Sequence, residues 1–92
     1  MTALEAAAQL VSELDQRRAE YKVLIDRPEA IMLLVHLPGE RWEIECFDDG
    51  HIELERFTSE GAASEVRELG EIMPELLSYY EENTELSHIR HE

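Results

Sequence analysis

The stretch that decides the fold is YKVLIDRPEAIMLLVHLPGERWEIECFDDGHIELERF, residues 21–57. It reads as four runs of period two: Tyr21–Asp26, Ala30–Leu37, Arg41–Phe47 and His51–Phe57. Between them lie Arg27-Pro28-Glu29, Pro38-Gly39 and Asp48-Asp49-Gly50, residues whose backbone preferences suit tight turns. Connections this short join antiparallel neighbours, so the runs predict a four-stranded meander.

Directly opposed residues of an antiparallel pair share a face, which lets the register be tested. A two-residue loop at Asp49-Gly50 would set Ile44 against Glu55 and mix the faces. A three-residue loop sets Phe47 against His51, Cys46 against Ile52 and Ile44 against Leu54, and gives Gly50 the left-handed position that such a loop needs. At the middle turn, pairing Leu37 with Glu40 brings Val35 to Trp42, Leu33 to Ile44 and Ile31 to Cys46. At the first turn, pairing Asp26 with Ala30 brings Ile25 to Ile31, Val23 to Leu33 and Tyr21 to Val35. The three turns agree on one buried face: Tyr21, Val23, Ile25, Ile31, Leu33, Val35, Trp42, Ile44, Cys46, Ile52 and Leu54.

Helical spacing flanks the strands. Thr2 and Glu5 have capping-box spacing, and Leu4, Ala7, Ala8, Val11, Leu14 and Arg18 recur with a helical period. After a loop at Thr58–Gly61, the residues Ala62, Val66, Leu69, Met73, Leu76 and Tyr80 repeat in the same way. Gly70 and Pro74 divide that stripe into an expected short helix, Ala62–Leu69, and a longer one, Glu71–Asn83. The expected fold is therefore α+β: an N-terminal helix, a four-stranded antiparallel meander and one or two C-terminal helices, all packed on one sheet face. Residues 1–83 form the domain and 84–92 a frayed tail.

Composition limits the function. The chain has 92 residues, 22 Asp and Glu against 8 Lys and Arg, and a formal net charge of −14. So few basic residues argue against a direct grip on nucleic-acid phosphates. One cysteine excludes an internal disulfide framework and a cysteine-rich zinc module. No apolar run reaches the ~18 residues of a membrane helix and no signal peptide stands first, so the expectation is a soluble cytoplasmic domain with no membrane partner.

The other sheet face carries what chemistry there is. The same register sets Glu45 opposite Glu53 and Glu43 opposite Glu55, with Leu24, Met32 and Leu34 as an apolar strip beside them. Like charges directly opposed are destabilising, and an apolar patch rimmed by charge often marks a contact surface. The plainer reading is a charged face that keeps the sheet wet and its edges unpaired. A calcium or manganese site would call for an ordered loop with carbonyl ligands, and a glycosidase pair would flank a cleft; neither pattern is present, so no metal, cofactor or catalytic residue is assigned. His36 and His51 fall on this face at the ends of different strands. His88-x-x-His91 has metal-like spacing without a third ligand, Cys46 and Trp42 read as core, and Tyr79 falls off its helix stripe and reads as exposed.

The segment Glu40–Phe57, ERWEIECFDDGHIELERF, resembles a hairpin found in small uncharacterised bacterial proteins. In size and acidity the chain is also similar to the immunity proteins and antitoxins that block basic toxins. That resemblance implies a non-enzymatic acidic binding protein whose partner is basic, such as a nuclease-type toxin. Glu43, Glu45, Glu53 and Glu55 would then meet Lys and Arg, and Leu24, Met32, Leu34, Phe47 and Phe57 would supply desolvated contacts. Two other readings stand beside it. One is a nucleic-acid mimic that uses Glu65, Glu68, Glu71, Glu75, Glu81, Glu82 and Glu85 as well. The other is a structural homodimer formed through the outer sheet face.

Overall fold

The structure, a computed structural model, describes the backbone of residues 1–91 and the side chains of residues 1–25 and 27–80. Its elements are α1 (Ala3–Gln16), β1 (Glu20–Arg27), β2 (Ala30–Leu37), β3 (Glu40–Phe47), β4 (His51–Thr58), β5 (Gly61–Glu68) and α2 (Leu69–His91). The fold is α+β, with one antiparallel sheet in the order β1-β2-β3-β4-β5.

Both of the longer hairpin registers come out as expected. Ile31 pairs with Cys46, Leu33 with Ile44 and Val35 with Trp42; across the next turn Cys46 pairs with Ile52 and Ile44 with Leu54. Pro38-Gly39 makes the β2–β3 turn, with Gly39 at φ 79°, and Gly50 closes the β3–β4 loop at φ 93°; both are left-handed positions where a missing Cβ relieves strain. The first hairpin differs at its tip. Ala30 pairs with Arg27 rather than Asp26, and an irregularity between Ile25 and Arg27 absorbs the extra residue. Beyond it Ile25–Ile31, Val23–Leu33 and Tyr21–Val35 pair as expected.

Thr2 and Glu5 close the capping box: the Glu5 N–H donates to Thr2 Oγ1 at 3.1 Å and the Thr2 N–H to Glu5 Oε1 at 2.9 Å. The Ala3 N–H also donates to Asp48 Oδ1 at 2.9 Å, which ties the helix start to the β3–β4 loop. The buried stripe of α1 is Ala3, Ala6, Ala7, Leu10 and Leu14. This corrects the expected stripe, since Leu4 is 64% exposed and Ala8 is exposed too. Both stripes have helical spacing; alanines on the inner one let the helix axis approach β2 and β3 closely. Arg17, Arg18 and Ala19 end the helix, with the Ala19 N–H on Leu14 O at 2.9 Å, the Arg18 N–H on Asp15 O at 3.1 Å and Arg18 at φ 54°. That bond pattern normally recruits glycine at the left-handed position.

The larger correction is β5. Gly61–Glu68, expected as loop and short helix, is a fifth strand paired with β4. Its inward positions are Ala63, Glu65 and Arg67, opposite Arg56, Leu54 and Ile52, while Val66 points outward and is 71% exposed. Strand alternation is thus reversed in polarity, and the apolar residues fall on helical spacing by coincidence. The inward charges are engaged in ion pairs. Arg67 Nη1 lies 2.7 Å from Glu65 and 3.7 Å from Glu75, and Arg67 Nε 3.8 Å from Glu71. Arg56 pairs with Glu75, stands 3.4 Å from Glu65, and lies over the Trp42 ring with 4.5 Å to its centroid.

α2 is one helix rather than two. The Glu68 N–H donates to Glu71 Oε1 at 3.0 Å, the helix-start half of a capping box, so the start falls after Gly61–Glu68 and not within it. Pro74 sits inside this helix, with Gly70 four residues before it. Leu69, Ile72, Leu76 and Tyr80 join α1 and the inner sheet face in one core around Trp42, Leu33 and Ile44. Tyr79 packs edge-on against Trp42, ring centroids 5.9 Å apart, and is not exposed. The tail from Thr84 and its His88-x-x-His91 spacing lie outside the described side chains.

β1 is the exception to the buried face. Val23 and Ile25 point to the helix side yet are 39% and 60% exposed. α1 packs on β2 and β3, so the sheet edge at β1 stays bare.

Candidate protein-binding face

Both helices pack on the inner face, and among the described residues nothing covers the outer one. β3 and β4 lie in the interior of the sheet and carry glutamate at alternate positions. Register brings Glu43 opposite Glu55 and Glu45 opposite Glu53. This region is concave: a groove of about 210 Å³ is lined by Met32, Glu43, Glu45, Glu53, Glu55, Ser64 and Val66, and it also touches the inward residues Leu54 and Glu65 from the outer side. A second concavity of about 320 Å³ adjoins it at Leu24, Arg27, Ala30, Met32 and Glu45. Met32 and Glu45 belong to both. Glu43, Glu45, Glu55, Met32 and Leu34 are half-buried, while Glu53 and Leu24 are exposed.

Two aromatic residues close the ends of the β3–β4 ladder. Phe47 stacks on the His51 ring, centroids 4.3 Å apart and planes 4° from parallel. Phe57 lies under the Arg41 guanidinium at 4.5 Å, and Arg41 also reaches Glu43 at 3.6 Å. Both rings already have partners, so of the nine expected contact residues the structure brings five together around the groove: Met32, Glu43, Glu45, Glu53 and Glu55. Leu24 lines the adjoining concavity, Leu34 lies beside it on β2, and Phe47 and Phe57 stand at opposite ends. Ser64 and Val66 line the groove and were not foreseen, because β5 gives no strand signal.

His51 is held between two carboxylates, Nδ1 against Asp49 and Nε2 at 3.5 Å from Glu53. The hydrogen bond to Asp49 raises the imidazole above its usual value, Glu53 adds to this, and partial desolvation works against it. The backbone and side-chain hydrogen bonds from His51 hold the Asp49 carboxyl below the usual range. Cys46 faces the core, where burial pushes its thiol up to about 12, far from a nucleophile's range. Among the described residues no three His, Cys, Asp or Glu side chains are grouped to hold a metal ion, and no helix is long and apolar enough to cross a membrane.

Neither a family model, nor a curated protein, nor a solved structure matches this chain.

Proposed function

We propose that the outer sheet face binds a basic protein and thereby neutralises or regulates it, in the manner of an immunity protein or antitoxin. One observation carries the reading: two rungs of opposed glutamates line a groove that adjoins a second concavity containing Leu24 and Met32, on the face that neither helix covers. Carboxylates so placed would steer a cationic partner in and pair with its Lys and Arg, while the apolar strip would supply contacts that slow dissociation. A nuclease-type toxin, whose own basic site serves to meet nucleic acid, is the class of partner with matching charge.

Mimicry of nucleic acid draws less support. It needs one long run of free carboxylates over sheet and helix, whereas Glu65, Glu71 and Glu75 are engaged by Arg56 and Arg67 on the opposite side.

The test uses a peptide of alternating Lys, Arg and Leu as probe, followed by amide shifts in nuclear magnetic resonance, and then the product of the neighbouring open reading frame as candidate partner. Binding confined to β3 and β4, weakened by salt and lost when Glu43, Glu45, Glu53 and Glu55 are all changed to Gln, is the expected result. Shifts spread evenly over the acidic surface, or undiminished binding by the fourfold variant, would overturn the proposal.

A further inference from the structure

We infer that β1 is an edge through which two copies of this chain pair, antiparallel about a two-fold axis at Leu24, into one continuous ten-stranded sheet, twice the five strands of each copy.

The two edges of the sheet are built differently. At β5 two of the three inward positions, Glu65 and Arg67, are charged and held in ion pairs, and α2 packs against that end of the strand. Inward charges and a covering helix are two of the devices that stop an edge from recruiting another strand. At β1 neither of these two is present, and the irregularity between Ile25 and Arg27 leaves Glu20–Ile25 as the regular stretch open to a partner. Val23, Leu24 and Ile25 are consecutive, and they are 39%, 46% and 60% exposed, so apolar surface is open on both faces of a strand whose outer N–H and C=O groups have no neighbour strand.

The strand fits a second copy of itself. Opposed residues across an antiparallel junction share a face, so a self-pairing must match positions of equal parity. Centred on Leu24, the pairing sets Leu24 against Leu24 on the outer face and Val23 against Ile25 twice on the inner face. Centred on Val23, it would set Lys22 against Leu24 and Tyr21 against Ile25, so only the first register matches all three apolar residues to one another. Charge agrees. β1 contains Glu20, Asp26, Lys22 and Arg27, formally neutral within a chain of −14, and four of the eight basic residues (Arg17, Arg18, Lys22, Arg27) fall in residues 17–27. This edge is where two acidic copies approach with least repulsion.

Pairing would join the outer faces, so that Leu24, Met32 and Leu34 of both copies form an apolar band across the axis with a carboxylate groove on either side. A strand edge is small beside the ~1,600 Å² of a standard interface, so the dimer depends on concentration.

Sedimentation velocity of the full chain, from micromolar to millimolar concentration, tests this. The expected result is a reversible dimer that strengthens with salt, because screening relieves repulsion between the two −14 copies. Val23→Lys and Ile25→Lys, both at exposed positions and therefore compatible with folding, should each weaken it about tenfold or more, whereas Val66→Lys on the opposite edge should not. Amide exchange in β1 should slow as concentration rises. A monomer throughout the range, or a dimer indifferent to both β1 substitutions, would overturn the inference. Neither Val23 nor Ile25 lies on the outer face, and basic-partner binding weakens with salt, so failure here is separable from failure of the proposed function.

Discussion

Glu45→Lys should stabilise the fold while abolishing the proposed binding. Glu45 stands opposite Glu53, two residues from Glu43 on its own strand and diagonal to Glu55, with Met32 on its other side. Opposed Cβ atoms are ~4.5–5.5 Å apart and diagonal ones ~7–8 Å. For carboxylates ~6 Å apart at an effective dielectric of ~40–80, Coulomb's law gives about 0.7–1.4 kcal/mol of repulsion before screening. A Debye length of ~8 Å at physiological salt reduces that to about 0.3–0.7 kcal/mol, within the range measured for cross-strand pairs. Glu45→Gln removes the repulsion, and Glu45→Lys replaces it with an attraction of similar size while its methylenes lie along Met32. At ~10 mM salt the gain is then about 0.5–1 kcal/mol for Gln and 1–2 kcal/mol for Lys. With about 4–8 °C per kcal/mol for a domain of this size, the Lys variant melts at least ~4 °C higher. Near 1 M salt, where the Debye length is ~3 Å, most of the gap should close. Thermal and urea unfolding of the three proteins at both salt concentrations measure this. A Glu45→Lys protein no more stable than the parent at low salt, or a gap that persists at high salt, would refute the idea that the two rungs carry repulsive strain.

Leu33→Ala removes a side chain that is fully buried at the centre of the core and should cost about 2–5 kcal/mol, read as a lower urea midpoint. Arg18→Gly places glycine at a left-handed position now held by arginine at φ 54°, and a gain of about 0.5–1 kcal/mol is expected in the same assay. His51 is raised above 6.5 in the folded protein, chiefly by its hydrogen bond to Asp49. Folding therefore favours the protonated ring, and the resulting stability is fully present below 6.5 and lost as pH rises through the folded value. The melting temperature of His51→Gln should fall below the parent's at mildly acidic pH and meet it in alkaline buffer; a gap that widens with pH would contradict the assignment.

Most of the sheet was legible because its turns are chemically explicit. Pro38-Gly39 and Asp48-Asp49-Gly50 each allow one register that keeps Leu33, Ile44, Trp42 and Leu54 on a common face, and a slip of one residue would turn all of them to solvent. The opposed glutamates followed from the same count. The tip of the first hairpin was less determinate, because Arg27-Pro28-Glu29 admits a two-residue turn with an extra residue in β1 as readily as a three-residue loop. β5 was not legible at all. Periodicity locates a strand by what it buries, and Glu65 and Arg67 are stabilised inward by Arg56, Glu71 and Glu75, partners from another strand and a helix that no local pattern reveals. Missing β5 also hid Ser64 and Val66 from the groove.

The contrast between β5 and the central strands bears on why the outer glutamates are there. Charges at an edge protect it, and the inward Glu65 and Arg67 have that explanation. Glu43, Glu45, Glu53 and Glu55 do not, because β3 and β4 are flanked on both sides and have no edge to protect. Solubility is no better an account. Lys opposite Glu on the same rungs would keep the face equally wet and would stabilise the sheet by cross-strand attraction, where Glu opposite Glu repels. Arg41 and His51, at the ladder ends, each reach one glutamate of a rung, Glu43 and Glu53. The four residues of the two middle rungs are nevertheless all acidic, and Glu45 and Glu55 face them without a basic residue on the same rung. Self-repulsion at the centre of a sheet is a stability cost that a cationic surface docked on the groove would relieve, and that relief would add to its affinity. On this account affinity for the partner and the stability gained by Glu45→Lys have one electrostatic origin, so the substitution that raises the melting temperature should be the one that weakens binding.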